Sequence, residues 1–506
     1  MDLEESIMRL SEVIRGIRLL NRLSKDIEIN SLSYNSKDVK RGSLFFAVKG
    51  QRFDGHNFIR DAIARGASGV VLERPELLEG LPESSVYLLV EESRYALALA
   101  SSNFFGRVSE KIPVIGVTGT NGKTTTTFLI KSILKTAGIK TGLIGTIHYE
   151  VGERILPAPY TTPEAVEFQS LLRKMYDEGC RAVVTEVSSH ALALKRVDGT
   201  IFERAVFTNL TRDHLDFHRD IEDYFQAKAR LFKELLKKGA PAIINSDDEY
   251  GRLLSSSLVE KLTYGIVSGD VKAININNSI NGLKFNITYQ GRLLRIESPL
   301  TGLINVYNIL AAATTCLSMD IPVDVIQEGI RIVSSVKGRF QKIDMGQDFL
   351  VIIDYAHTPD ALKRLILTAR EILTHKMTES PSEGKIITVF GCGGDRDRGK
   401  RPLMGEIATK LSDFVIITDD NPRTEDPNEI ISHILNGVIG ENYVVIHNRA
   451  EAIRQAVRMA EKGDIVIIAG KGHEDYQEIK TERFYFSDEE VARIAISERL
   501  GIHAST

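Results

Sequence analysis

Residues 112–127 read IPVIGVTGTNGKTTTT, and this stretch constrains the fold more than any other. The apolar run from Ile112 to Val117 has the length and β-branched content of a buried strand. After the threonines, Ile130, Ile133, Leu134 and Ala137 recur at helical spacing until Gly138 ends the helix. A strand that passes through a glycine-rich turn into a helix aims backbone N–H groups and the positive end of the helix at one point, where phosphate binds. Gly116, Gly119 and Gly122 are expected to let the backbone approach phosphate oxygens, Lys123 to neutralise the outer charges and Thr124 to ligate Mg²⁺. The spacing is G-x-x-G-x-N-G-K-T, not the common G-x-x-x-x-G-K-[ST], because Val117 stands six residues before Lys123. The expected ligand is ATP, held by Gly119, Thr120, Asn121, Gly122, Lys123, Thr124 and Thr125.

A chain of 506 residues is too long for one core and predicts about two to four domains. Residues 1–110 carry the short apolar runs SLFFAV, GVVLE and VYLLV between helical patterns, which predicts a small α/β domain. Residues 111–338 add RAVVTEV, RAVFTNL and PAIIN in alternation with helices, the pattern of a mainly parallel sheet covered on both faces. Between 271 and 302 the texture changes to short alternating strands punctuated by Asn281-Gly282 and Gln290-Gly291, so an antiparallel annex is expected there. Residues 339–506 bring FLVIID, KIITVFG, DFVIITD, NYVVIH and DIVIIAG, a third, Rossmann-like α/β domain. A formal net charge of -4 gives no general electrostatic reason for a nucleic-acid partner. The acidic start MDLEESIMRL and the lack of a long uncharged apolar run argue against secretion and membrane insertion. Cys180, Cys316 and Cys392 are odd in number and far apart, so they read as reduced thiols in a cytoplasmic protein.

Ligands of open parallel sheets bind beyond the C-terminal ends of the strands, and those ends are rich in chemistry here. Glu186 closes the AVVTEV strand and His214 follows RAVFTNL in TRDHLDFH, so both are metal candidates; the plain alternatives are a salt-bridged carboxylate and a structural imidazole. In the third domain YAHTPD, CGGDRDRGKRP, DNPRTEDP and KGHED each follow a strand.

The ordered strings GVTGTNGKTTT, YTTPEA, EVSSHAL, TNLTRDHLDFH, YFQAKARLF, NVYNILAA, GRFQ, DYAHTPDAL, GCGGDRDRGKRP, DDNPRTEDP and AGKGHE span nearly the whole chain, and together they resemble the Mur ligase family. The resemblance implies three α/β domains and an ATP-dependent ligase that adds a diamino acid to the D-Glu γ-carboxyl of UDP-N-acetylmuramoyl-L-alanyl-D-glutamate through an acyl phosphate. A monomer is expected. The resemblance also assigns roles. Lys123, Glu186, His214 and Lys228 are the catalytic set, with Lys228 as a CO₂-derived carbamate that ligates Mg²⁺ beside Thr124, Glu186 and His214; the plain alternative for Lys228 is a solvated helix lysine. Asn308, Arg339 and His357 are placed on the ATP side. Arg339 precedes the third domain and would enter the cleft only when that domain closes.

For the nucleotide-sugar peptide the resemblance points to Ser36, Thr161, Thr162, Ser188 and Arg196. The sequence departs from the family pattern at YNSKD, where relatives often carry Asp-Ser-Arg, and at Leu194, where a Gln is frequent. Arg396, Asn421, Arg423, Gly470 and Glu474 follow third-domain strands and are expected to line the acceptor pocket. Meso-diaminopimelate carries a distal ammonium and carboxylate, which suit Glu474 and a bidentate Arg423; L-lysine lacks that carboxylate. The alternative for Arg423 is a loop-stabilising ion pair with Glu425 or Asp426. The rival functions are the dipeptide-adding branch, folate polyglutamylation, and an ATP-dependent switch without ligase chemistry.

Overall fold

The computed structural model describes residues 7–50, 53–82, 85–279, 281–377 and 384–501, and its α/β architecture is built on three main sheets. In the first, Ser31–Ser33, Ser43–Phe46, Ala67–Leu72 and Val86–Leu89 pair in that order, all parallel. A parallel sheet needs cover on both faces, which explains why the successive Phe45 and Phe46 are both fully buried. Phe46 packs with Ala96 and Leu97 of the helix Ser93–Phe104, and Phe45 with Ile59 and Ala62 on the opposite side.

The second sheet has eleven strands, and its parallel centre holds Thr141–Ile144, Ala182–Glu186, Val114–Thr118, Arg204–Phe207 and Ala242–Asn245 side by side. All five residues of Val114–Thr118 are buried, and burying one aliphatic side chain of this kind contributes about 1.5–3 kcal/mol. Register decides where the chemistry sits: Glu186 lies opposite Val117 and Phe207 opposite Thr118, so the loops after these three strands open at one edge. The expected annex is present as Val271–Ser279, Gly282–Tyr289 and Arg292–Ser298, all antiparallel, and Gln290 and Gly291 both take positive φ in the second of its turns. It continues the central sheet through a short parallel pairing with Lys261–Gly265. A second antiparallel ribbon, His148–Val151 with Arg154–Pro157, ends the opposite edge and was not anticipated.

The third sheet runs Gln341–Ile343, Leu350–Asp354, Ile465–Ala469, Ile386–Phe390, Phe414–Ile417, Tyr443–Val445, parallel except for its first strand. Asp354 lies opposite Ala469, Val389 opposite Ile468 and Phe390 opposite Ile417, so the four motif-bearing loops share one edge. No described helix is long and apolar enough to cross a membrane.

Behind that sheet Arg449 is wholly buried and forms a two-pronged pair with buried Asp488, Nε to Oδ1 and Nη2 to Oδ2, each at 2.8 Å. Its Nη2 also donates to the Ala469 carbonyl at 3.0 Å, which ties the last helix to the strand that leads into the AGKGHE loop. Removing one partner leaves a buried charge uncompensated. Asp488→Ala is therefore expected to lower stability by about 3–5 kcal/mol, read as a loss of denaturant midpoint against the parent chain; a change indistinguishable from a surface substitution would contradict this account.

Candidate active site

The loop after Val114–Thr118 is shaped by its neighbours as much as by any ligand. A Cβ on Gly119, whose φ is +146°, would lie 1.9 Å from the Thr208 hydroxyl, and one on Gly122, at φ +85°, would lie 2.4 Å from Asn308 Oδ1. Thr120 N donates to the Asn209 carbonyl and Asn121 N to Asn209 Oδ1, both at 2.9 Å, so the exit of Arg204–Phe207 holds the turn in shape. Gly116 does not belong to this cradle. It sits inside the strand, where a Cβ would lie 2.7 Å from the Phe202 ring, so its smallness serves core packing.

Two lysines converge on one carbonyl. Lys123 Nζ donates to the carbonyls of Gly119 (2.9 Å) and Thr120 (2.8 Å), and Lys228 Nζ reaches the same Gly119 oxygen at 3.0 Å. Lys228 is buried beneath the loop, 4.5 Å from the Tyr224 ring centroid, so the solvated-lysine alternative fails. Burial first, then the charge of Lys123, holds the Lys228 ammonium well below its ordinary pKa. Lys123 is also lowered, chiefly by burial.

Thr124 opens the helix Lys123–Thr136, and its hydroxyl donates to Glu186 Oε2 at 3.0 Å. Glu186 is buried and also receives Thr146 N at 2.8 Å and the Thr146 hydroxyl at 3.0 Å. Arg339 reaches the same hydroxyl from the start of the third domain, Nη2 to Thr124 Oγ1 at 3.2 Å, so it stands in the cleft in this conformation. Its guanidinium lies 4.8 Å from the Tyr355 ring centroid, and its Nε is buried without a hydrogen-bond partner. Asn308 is buried, not on a helix surface; it bonds Asn305 at 2.9 Å and sits against Gly122. His357 donates Nδ1–H to the Tyr355 carbonyl at 2.8 Å. His214, at φ +54°, packs its ring 4.9 Å from His190 and 6.0 Å from Tyr224, and burial lowers its pKa and favours the neutral imidazole against the opposing pull of Asp213, 3.4 Å from Nε2. No described contact joins His214 to Glu186, and among the described residues no group of three His, Cys, Asp or Glu side chains has metal-binding spacing.

Four of the five residues expected at the nucleotide-sugar peptide form a tight knot at the end of Ala182–Glu186. Thr162 Oγ1 donates to the Glu186 carbonyl at 2.8 Å and accepts from Ser188 N at 3.1 Å. Ser188 caps the helix Ser189–Ala193, and the Thr161 hydroxyl meets that of Thr146 at 3.0 Å. Arg196 donates to the Thr162 carbonyl and pairs with Glu164 at 2.8 Å. Ser36 is buried at the start of the turn Ser36–Asp38 and makes no described contact with this knot; the first domain reaches it through Arg94, which pairs with Glu164 at 3.6 Å, and touches the neighbouring helix through Tyr34, whose hydroxyl donates to Glu167 at 3.1 Å.

In the third domain Asn421 Nδ2 donates to Glu474 Oε2 at 2.9 Å, and Asn421 Oδ1 receives both Lys471 Nζ (2.8 Å) and Glu478 N (2.9 Å). Burial raises Glu474 above the usual carboxylate range. Gly470 must be small, since a Cβ would lie 2.7 Å from Asp420 Oδ2. The alternative of an ion pair between Arg423 and Glu425 or Asp426 drops out: Arg423 pairs with Glu478 at 3.2 Å, while Arg401 and Arg398 hold Glu425. Arg396 is exposed and its side chain donates to the Asp395 carbonyl, with its Cγ, Arg423 Nη1 and the Asn421 carbonyl all within 4 Å of where a Cβ on Gly393 would stand.

Several site residues escaped sequence reasoning although their motifs were quoted. Lys471, fully buried, and Tyr355 lie inside AGKGHE and DYAHTPDAL; Thr146 stands two residues past the strand Thr141–Ile144, at the edge where Glu186 ends its own strand, and that position was its signal. Glu478 carried no local signal, because it meets Arg423 only when the hairpin Tyr476–Ile479 and Glu482–Tyr485 docks on the DNPR loop.

Comparison with known proteins agrees with this geometry. The family models described as "Mur ligase family, catalytic domain", "Mur ligase middle domain" and "Mur ligase, glutamate ligase domain" match residues 28–104, 117–316 and 338–472. The UDP-N-acetylmuramoyl-L-alanyl-D-glutamate--2,6-diaminopimelate ligase of Aquifex aeolicus is 48% identical over 92% of this chain and 93% of its own length. Its namesake from Clostridium tetani is 43% identical over 97% of this chain and 100% of its own. A solved structure of a protein of that name superposes with a TM-score of 0.68 at 32% identity, covering 98% of this chain and 100% of the other. The MurF ligase of Thermotoga maritima, solved in complex with ADP, shares the fold alone at 21% identity, with a TM-score of 0.62 over 94% of this chain and 98% of its own. Likeness of this extent, running through all three sheets in one order, settles that the chain belongs to the Mur ligase family.

Proposed function

We propose that this protein is an ATP-dependent amide ligase that joins meso-diaminopimelate to the D-Glu γ-carboxyl of UDP-N-acetylmuramoyl-L-alanyl-D-glutamate, forming ADP and phosphate in peptidoglycan precursor synthesis. The observation that carries the reading is a contact across domains. Arg339 spans from the third domain to Thr124 of the phosphate loop, while its stacking partner Tyr355 touches Glu474 in the acceptor cluster. The curated relatives named as diaminopimelate ligases, aligned over nearly the whole chain, supply the substrate pair.

A carboxylate is a poor electrophile, and an amine does not displace oxide from it. Phosphoryl transfer from ATP makes an acyl phosphate whose leaving group is phosphate, and the acceptor amine then attacks the acyl carbon. The protein's part is to gather anions and hold them in line. Lys123 and Arg339 supply positive charge at the loop. Thr124 and Glu186 present adjacent hard oxygen donors, which fit Mg²⁺, an ion that would screen the phosphate oxygens. His214 is neutral and so able to ligate, and His357 lines the cleft between the loop and the third domain. Lys228 fits carbamylation: burial favours its neutral amine, the form that adds to CO₂ with loss of a proton, and a carbamate would replace one of two crowded ammonium groups with an anion. Arg423, oriented by Glu478 and the Gly394 carbonyl, is the residue for the distal carboxylate of the acceptor. We place the reaction in the cytoplasm and in a monomer.

The decisive assay mixes the pure chain with ATP, UDP-N-acetylmuramoyl-L-alanyl-D-glutamate and meso-diaminopimelate. Tripeptide and phosphate are expected in equal amounts, with neither a D-alanyl dipeptide nor a folate serving in their place. Phosphate release without an amide product would leave a nucleotide switch instead.

Lys228→Ala is expected to reduce turnover by about a hundredfold or more, with partial recovery on adding a short carboxylic acid. Labelled bicarbonate should give a carbamate carbon resonance in the parent chain that the variant lacks. Full activity of the variant without bicarbonate would make Lys228 structural only.

In competition the parent chain is expected to choose meso-diaminopimelate over L-lysine, and Arg423→Ala to erode that preference by about ten- to a hundredfold, the value of a charged hydrogen-bonded pair. A preference for lysine, or an unchanged ratio in the variant, would remove Arg423 from the pocket.

A further inference from the structure

We propose that Tyr355 is a positioning residue that couples the acceptor cluster to the phosphate loop, its hydroxyl holding Glu474 and its ring supporting Arg339. The inference rests on the reading that Glu474 receives the acceptor and Arg339 the phosphate charge. Tyr355 stands directly after the strand Leu350–Asp354, at the shared edge of the third sheet. Its hydroxyl donates to Glu474 Oε1 at 3.3 Å. The guanidinium of Arg339 lies 4.8 Å from its ring centroid, within cation–π range, and the far end of that guanidinium bonds Thr124. One side chain therefore touches the residue expected to meet the amine and the residue expected to meet the phosphate.

The ring has little freedom to do otherwise. His357 and His473 pack against it with centroids at 4.6 Å and 5.0 Å. Its backbone is fixed as well, with N donating to the Gly338 carbonyl at 3.0 Å and the carbonyl accepting from His357. A Cβ on Gly472 would lie 2.7 Å from Tyr355 Cβ, so the AGKGHE loop is pressed directly onto the tyrosine. Arg339 has fewer constraints. Its Nε is buried and unbonded, so the Tyr355 ring and Thr124 largely decide its orientation.

Phenylalanine keeps the ring and deletes the hydroxyl, whereas leucine deletes both, so two variants separate the two halves of the proposal. With steady-state tripeptide formation as readout, Tyr355→Phe is expected to raise KM for meso-diaminopimelate about tenfold while KM for ATP stays within about twofold. Tyr355→Leu should repeat that rise and in addition lower kcat/KM for ATP by about five- to twentyfold. A purely structural tyrosine would shift both substrates together in both variants. The proposal is overturned if Tyr355→Phe leaves the amino-acid constant unchanged, or if the two variants share one ATP constant. A parent chain that makes no tripeptide would instead overturn the ligase reading, before any variant is compared. Tyr355→Phe changes a single oxygen, and circular dichroism of each variant confirms that folded proteins are being compared.

Discussion

The carbonyl oxygen of Gly119 organises the centre of this molecule. Two buried lysine nitrogens, Lys123 from the loop's own helix and Lys228 from a helix more than a hundred residues later in the chain, point at that one oxygen. Charging both is costly unless something anionic enters, because burial and the charge of Lys123 lower the proton affinity of Lys228. The loop is thus poised for anions before any ligand is considered. Its shape does not depend on them, since Thr208, Asn209 and Asn308 press on Gly119 and Gly122 from the protein side. Glycines usually credited to the ligand are here required by the fold as well.

Around this centre the two catalytic halves are built on the same principle and then made to face each other. Parallel register lines up strand ends, so each sheet presents several loops at one edge without long excursions. In the central sheet the edge carries hydroxyls and a carboxylate, in the third sheet an amide, a buried lysine and carboxylates. The cross-domain contacts include the Asn121 amide to Asp360, Lys342 to the Pro299 carbonyl and the packing of Gly302 against the Thr368 methyl, and Arg339 is the one that joins the two chemistries.

Much of this was legible in the sequence, because buried parallel strands are continuous apolar runs and every run singled out is a strand. The phosphate loop was legible for the same reason, being framed by a strand and a helix that cannot be mistaken. What failed were inferences that needed a third dimension. Gly116 looks like its loop neighbours in the sequence but packs under Phe202. The protein partners weighed as the alternative for Arg423 were the acidic residues beside it, whereas Glu478 arrives on a hairpin 55 residues later. Lys228 offered a clue that went unused: it stands four residues after Tyr224, on the buried face of the helix Ile221–Arg230. Its burial, and so its chemistry, follows from that face. In the ribbon at 148–157 only His148–Val151 alternates in burial, Arg154–Pro157 is mostly exposed, and the short strands on either side of the Gly152 turn gave little periodicity to read.

The near contact of Gly338 with the AGKGHE loop has a mechanical meaning. A Cβ at Gly338 would lie 2.1 Å from His473 N, and Phe340 N is bonded to Asp354 at 2.6 Å, so the chain from Gly338 onward is part of the third domain's rigid body. On the other side, the helix Val323–Arg331 is locked to the central domain, where Gly329 abuts Ile133 so closely that a Cβ would lie 2.5 Å from its Cα. A rotation between the two domains has only the irregular residues 332–335, just before the Val336–Arg339 bridge, in which to turn. Arg339 then sits a few residues beyond the fulcrum, and Glu474 lies close to it too, since its neighbour His473 abuts Gly338 and its carboxylate meets the Tyr355 that stacks on Arg339. A rotation about 332–335 therefore carries Arg339, Tyr355 and Glu474 as one piece and breaks the bond from Arg339 to Thr124 before it disturbs their mutual geometry.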